Sequence, residues 1–440
     1  MESEKRISIN TIIKYFACAA IAVEAVFAAF WLFKNIGVCQ SDYIAHTYIQ
    51  AADSLVVDDS MGILYALIVR VLGHGAVLQI AQIIVGTLAL WFFATSLFGK
   101  GAAVVLTGVI ALNPMILQAE TAVSPNALVL SCVLVAIGAA VKSKSNAKWY
   151  VGLFVSALLA GFLNPDYAYL FAFVGVVFFV VRCIVRKKFE LVLLVLVLVA
   201  AVVPAVTNHF ISDDKAYGRV GRTPAFLMMQ RVVWPHMFDY SELADSWVAY
   251  YKGETDIDYG YTMIDTARIP ENLAMSFANS FEDLIGTENA QSFYKTTVEY
   301  SLGKGFGFWA RDVISDEVLY VLAPASAAYA YVTRMTDTSV VNGLYYMFKT
   351  APEISKVYFV FSSMALIVLI ALYVIAGIVK ACRKETNKAS VTVSLLLIIL
   401  LLSLYATLIC VREFDYRNVL FMVVGWPAAV MALTERRDTV

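Results

Sequence analysis

Charge is scarce in this chain. It holds 33 Lys and Arg and 34 Asp and Glu in 440 residues, only 15% of the whole. A soluble globule needs a polar skin, and this composition cannot supply one at this size, which excludes a soluble class. The net charge of −1 leaves no positive surplus to hold nucleic acid. The six cysteines (Cys18, Cys39, Cys132, Cys183, Cys382, Cys410) show neither a CxxC pair nor metal-ligand spacing. They read as small buried hydrophobes and build no disulfide framework. The four histidines (His46, His74, His209, His236) are also too dispersed for a ligand set. Gly303-Lys304-Gly305-Phe306-Gly307 lacks the strand, spacing and helix of a nucleotide loop and reads as a turn. No long alternating strand pattern occurs, and no internal repeat of the transporter kind.

What fills the chain is apolar. It is 60% hydrophobic, with a mean hydropathy of +0.74. That predicts an all-α polytopic membrane protein. Ten spanning helices are expected, over 12–33, 76–98, 102–120, 127–141, 149–163, 167–185, 190–210, 357–379, 391–410 and 418–433. Several runs are nearer 15 than 20 residues, so one re-entrant segment fits the pattern. Lys5 and Arg6 precede a first run too long for a signal-peptide core, which reads as a retained anchor. With the N-terminus in the cytoplasm, the inner connections carry Lys100, Lys142, Lys144, Lys148, Arg182, Arg186 to Lys188, Lys380 to Lys388 and Arg436-Arg437. The turns 121–126 and 164–166 carry no Lys or Arg. The positive-inside rule is met, and both termini are then cytoplasmic.

Three regions follow. Residues 1–210 form an N-terminal transmembrane module with a first outer loop at 34–75. Residues 211–356 form one large outer insertion, acidic (19 Asp and Glu against 12 Lys and Arg) and rich in aromatics. It is expected to be a helical extracytoplasmic cap. Residues 357–440 carry the last transmembrane helices.

The first outer loop carries the sharpest local pattern. At roughly 100° per residue, Asp42, His46, Gln50 and Asp53 share one face, and Ile44, Tyr48, Ala51, Ala52 and Leu55 the other. This predicts an amphipathic helix on the membrane surface with an acidic face toward water. An acid fixed there is a candidate general base for a lipid-linked substrate. Ser41 and Asp42 equally suit a helix cap and first turn with no chemistry. Asp42, His46 and Asp53 reach too far along the helix to hold one metal. The run Met61–Gly73 is too short to span and predicts a second, interfacial helix. Glu24 lies in the middle of the first span, where a carboxylate is costly. The plain reading is a protonated side chain hydrogen-bonded to a neighbouring helix. Arg222 and Arg231, beside Arg219, and Arg412 and Arg417 lie at the outer face. They suit bidentate phosphate contact, or interfacial snorkelling and ion pairs with Glu413 or Asp415.

The order of these features resembles the GT-C superfamily of integral-membrane glycosyltransferases. The branch is that of the protein O-mannosyltransferases and lipid A aminoarabinose transferase. The resemblance rests on Ser41-Asp42 after the first span, then Tyr48 and Ala51-Ala52, then Leu72-Gly73 and Leu78-Gln79. It continues through Ile110-Ala111-Leu112-Asn113-Pro114, Ser124-Pro125-Asn126, a late Tyr416-Arg417 and Pro427. It covers the first 210 residues and, loosely, the last 40. Tyr43 stands where many relatives have a second acid, Ser124-Pro125-Asn126 occupies a turn that is often acidic, and the late Arg-Tyr pair is reversed.

The resemblance implies a GT-C-like bundle in a bacterial plasma membrane. It implies inverting transfer of a sugar from a polyprenyl-phosphate donor to a glycan, lipid or protein acceptor at the extracytoplasmic face. Asp42 takes the role of base, Glu120 or Asp53 orients the acceptor or helps position Asp42, and Arg222, Arg231, Arg412 or Arg417 hold the donor phosphate. No cofactor is implied beyond the lipid-linked donor and surrounding membrane lipids, and the need for a divalent metal stays open. Two alternatives remain: a transporter or lipid flippase using Glu24, and an inactive relative that binds an envelope polymer.

Overall fold

A computed structural model describes residues 9–38, 43–57, 61–143, 146–165, 191–211, 352–383 and 420–434, and positions 176, 179, 180 and 183. Every element among them is an α-helix. In chain order these are α1 (Ile9–Asn35), α2 (Tyr43–Ser54), α3 (Ile63–Leu72), α4 (Ala76–Leu97), α5 (Lys100–Ala111), α6 (Pro114–Thr121), α7 (Asn126–Lys142), α8 (Trp149–Leu163), α9 (Leu191–Ile211), α10 (Pro352–Cys382) and α11 (Leu420–Thr434). The expected spans over 167–185 and 391–410 and the insertion over 211–356 fall wholly or largely outside the described residues.

Two described helices, Thr11–Asn35 and Ala76–Leu97, are long and apolar enough to cross a bilayer. The bent pair α5 and α6 passes the same test when taken together. The surface fits that solvent. On α1 the large apolar side chains Tyr15, Phe16, Val26, Phe30 and Phe33 point outward. Its buried stripe is mostly small: Ile13, Ala17, Ala20, Glu24, Ala28 and Trp31. Small residues toward the neighbours and bulky ones outward is the arrangement that lets helices pack in lipid.

Close approaches set the helix directions. A Cβ added at Gly101 would stand 3.2 Å from Lys14 Nζ, and one at Gly108 would stand 2.7 Å from Ile21 Cδ1. Both pairs advance by seven residues, so α1 and α5 run parallel in a constant register. Gln82 of α4 reaches the Ala122 carbonyl just before α7, and a Cβ at Gly138 would stand 2.7 Å from Phe92 Cε1, so α7 runs parallel to α4. Lys14, Lys100 and Lys142 therefore share one end of the helices. There Lys142 Nζ lies 4.3 Å from the Phe92 ring centre and 4.9 Å from that of Trp149, a double cation–π contact.

The run expected as one helix over 102–120 is two. α5 stops at Ala111, and α6 leaves at 63°. The cause is local. Pro114 has no N–H to donate to Ile110, and the Met115 N–H is taken at 3.0 Å by Asn113 Oδ1. Asn113 is thus the N-cap of α6, with Pro114 at its first position.

Candidate functional site

The end of the helices opposite the lysines holds α2, α3 and a buried polar cluster. α2 is amphipathic as its sequence indicates. Ala45, Tyr48, Ala51 and Ala52 are buried, and His46, Gln50 and Asp53 are exposed. Leu55 departs from that pattern: it follows the helix in the left-handed region (φ 56°) and is exposed. The helix has ended at Ser54, so its periodicity no longer governs Leu55.

α2 is fixed to α3 by two contacts. The Tyr48 and Tyr65 rings meet edge to face, with centres 4.9 Å apart. Arg70 Nη1 donates to the carbonyls of Ala52 (3.3 Å) and Asp53 (3.4 Å), which lack helical partners at the C-terminus of α2. Gly62, just before α3, lies against the Leu163 carbonyl at the end of α8, where a Cβ would collide with backbone.

The buried cluster is organised by Gln79 and Gln82 of α4. Gln79 Oε1 accepts from the Gly37 N–H (2.7 Å), and its Nε2 donates to the carbonyls of Val38 (3.1 Å) and Thr121 (2.9 Å). Gln82 Nε2 donates to the carbonyls of Glu120 (2.7 Å) and Ala122 (3.0 Å), and its Oε1 accepts from the Tyr65 hydroxyl (3.0 Å). Each amide is used on both its donor and its acceptor side, as burial in a low dielectric demands. Together they tie the end of α1, the helix α3 and the turn after α6 to one face of α4.

Glu120 hangs from that clamp. Its carbonyl is held by Gln82, while its side chain is 4% exposed and lies against Gly86, one turn along α4. Glu120 Oε2 has no hydrogen-bond partner. A buried carboxyl oxygen without a partner is costly in an apolar interior, which marks Glu120 as a candidate functional residue.

Of the residues singled out from sequence, Asp42, Arg222, Arg231, Arg412 and Arg417 lie outside the described residues. Asp53 and Glu120 occupy different settings, one on the exposed face of α2 and one in the interior. Glu24 is fully buried, and neither carboxylate oxygen has a hydrogen-bond partner, so no bond to a neighbouring helix holds it. Sequence reading gave no structural role to Gln79, Gln82, Gly86 or Tyr65. The available signal was two glutamines and a glycine at i, i+3 and i+7 within an otherwise apolar run. No protein-family model matches this chain, and neither a curated protein nor a solved structure matches it significantly.

Proposed function

We propose that this protein is an inverting glycosyltransferase of the membrane, moving a sugar from a polyprenyl-phosphate donor to an acceptor hydroxyl. One observation carries the reading. The helix after the first span packs its apolar face on α3 and exposes His46, Gln50 and Asp53 at the end of the helices where Glu120 is clamped. That is a polar ledge at the edge of an apolar bundle, as a lipid-linked sugar requires.

In this reading the chain spans the bilayer ten times with both termini in the cytoplasm. The lysine end faces inward, and α2 and α3 lie on the outer surface. Asp42, one residue before α2, takes the acceptor hydroxyl proton. The acceptor oxygen bonds to the anomeric carbon from the side opposite the phosphate. The carbon–oxygen bond to the phosphate breaks, and its electron pair leaves with the polyprenyl phosphate. Arg222, Arg231, Arg412 or Arg417 stabilise the charge that develops there. Glu120 orients the acceptor by accepting from a second hydroxyl.

The test is transfer from a synthetic polyprenyl-phosphate sugar in proteoliposomes. Asp42→Asn keeps the shape and removes the base, so turnover is expected to fall by about 10²–10⁴-fold. Transfer at the unmodified rate would overturn the assignment of Asp42. Absence of any bound polyprenyl phosphate in native mass spectra, even after synthetic donor is added, would overturn the transferase.

A further inference from the structure

At the lysine end of the helices two cations are brought together. Lys14 Nζ lies against Gly101 of α5, where an added Cβ would stand 3.2 Å from it, and Lys100 is the adjoining residue. Both lysines are exposed. Like charges so placed at the edge of an apolar bundle repel each other unless an anion joins them. No described carboxylate does so. Asp53 and Glu120 are at the opposite end, and Glu24 is ten residues from Lys14, about 15 Å along α1. Lys142, at the same end, differs, because its charge rests on the rings of Phe92 and Trp149.

A trough in the apolar surface starts at these lysines. At roughly 100° per residue, Cys18, Ala22, Ala25 and Ala29 of α1 fall within about 60° of one another, and all four are exposed. On one side Lys14 and Ile21 border them, where α5 comes close at Gly101 and Gly108 and exposes Val104. On the other side Tyr15, Val26 and Phe33 stand outward. The floor is therefore small and the rims are larger. Ala29 lies eleven residues beyond Cys18, about 16 Å along the axis, close to half of a ~30 Å hydrocarbon core, the depth that one acyl chain fills. A second copy of the chain suits this surface poorly, since a two-fold contact between parallel copies along the trough would set Lys14 against Lys14. An acidic phospholipid complements both parts, with a phosphate for the lysines and an apolar chain for the trough.

We propose that Lys14, Lys100 and the trough of α1 seat one acidic phospholipid of the surrounding membrane, its phosphate between the two ammonium groups and an acyl chain along Cys18 to Ala29. The seat is independent of the transferase reading and involves neither Asp42 nor Glu120.

The experiment is native mass spectrometry of the full-length protein in mild detergent, offered equal amounts of phosphatidylglycerol and phosphatidylcholine with the same acyl chains. The first lipid bound by the wild type is expected to be phosphatidylglycerol, with a preference of about tenfold. Lys14→Gln combined with Lys100→Gln should bring that preference close to one, whereas Lys148→Gln, at the same end on α8, should keep it. Ala22→Leu combined with Ala25→Leu fills the trough without changing charge and should lose the bound lipid. Equal binding of the two lipids by the wild type would overturn the proposal. So would a preference that survives in the Lys14 and Lys100 variant, or a lipid-free dimer, which would mean that a second copy covers the trough. The wild-type comparison needs no variant, so it decides the matter even if a variant fails to fold.

Discussion

Gly86 of α4 provides the space into which the Glu120 carboxylate projects. The two residues are 34 positions apart in the chain, and each explains the other. A Cβ at position 86 would overlap the carboxylate, and without the glycine the acid has no place in the interior.

Gly86→Ala is therefore expected to destabilise the protein by about 1–3 kcal/mol through overpacking, despite the better helix propensity of alanine. Adding Glu120→Ala removes the colliding atoms and should restore most of the loss. A double-mutant cycle of melting temperatures in one detergent checks this. Additive losses would mean that the two side chains do not share that space.

Gln82→Leu removes two donated bonds and one accepted bond at once. The carbonyls of Glu120 and Ala122 and the Tyr65 hydroxyl then lose their bonds to Gln82. A loss of about 2–3 kcal/mol is expected, against about 1 kcal/mol for Tyr65→Phe, which removes the bond from the Tyr65 hydroxyl to Gln82. Thermal unfolding of the two variants side by side reads the difference.

Leu55 offers a stabilising change. It holds a left-handed conformation as a non-glycine residue, which costs about 1–2 kcal/mol, and its side chain is 40% exposed. Leu55→Gly relieves that strain and gives back part of it as unfolded-state entropy. A net gain of about 0.5–1 kcal/mol is expected as a higher melting temperature; a loss would show that the Leu55 side chain packs in a way that outweighs the strain.

Within the transferase reading, the two remaining acids should behave differently. Glu120→Gln removes an interior acceptor oxygen and is expected to slow transfer by about 10²-fold with little change in donor affinity. Asp53→Asn, on the exposed face of α2, is expected to stay within about twofold of the wild type. Initial rates against acceptor concentration for the two variants separate the outcomes.

The local features of this chain were legible in its sequence. Apolar runs marked α1, α4, α7 and α8 to within a few residues, because polar loop residues bound each run and a helix in an apolar setting is built of side chains that need no water. The period of α2 separated Tyr48, Ala51 and Ala52 from His46, Gln50 and Asp53, because a helix repeats every 3.6 residues whatever it packs against. The bend after Ala111 was present in Asn113-Pro114, yet the apolar run through it reads as one helix, since hydropathy takes no account of a missing N–H.

Tertiary structure alone decided the polar interior. Which carbonyls Gln79 and Gln82 reach depends on how α4 lies against the ends of α1 and α6, about 40 residues away in the chain. The space for Glu120 exists only where Gly86 faces it, and Ile21 meets Gly108 only through the parallel register of two helices distant in sequence. Periodicity tells which face of a helix is buried, whereas the partner of a buried polar group is set by the crossing of two helices, and no stretch of either one encodes that alone.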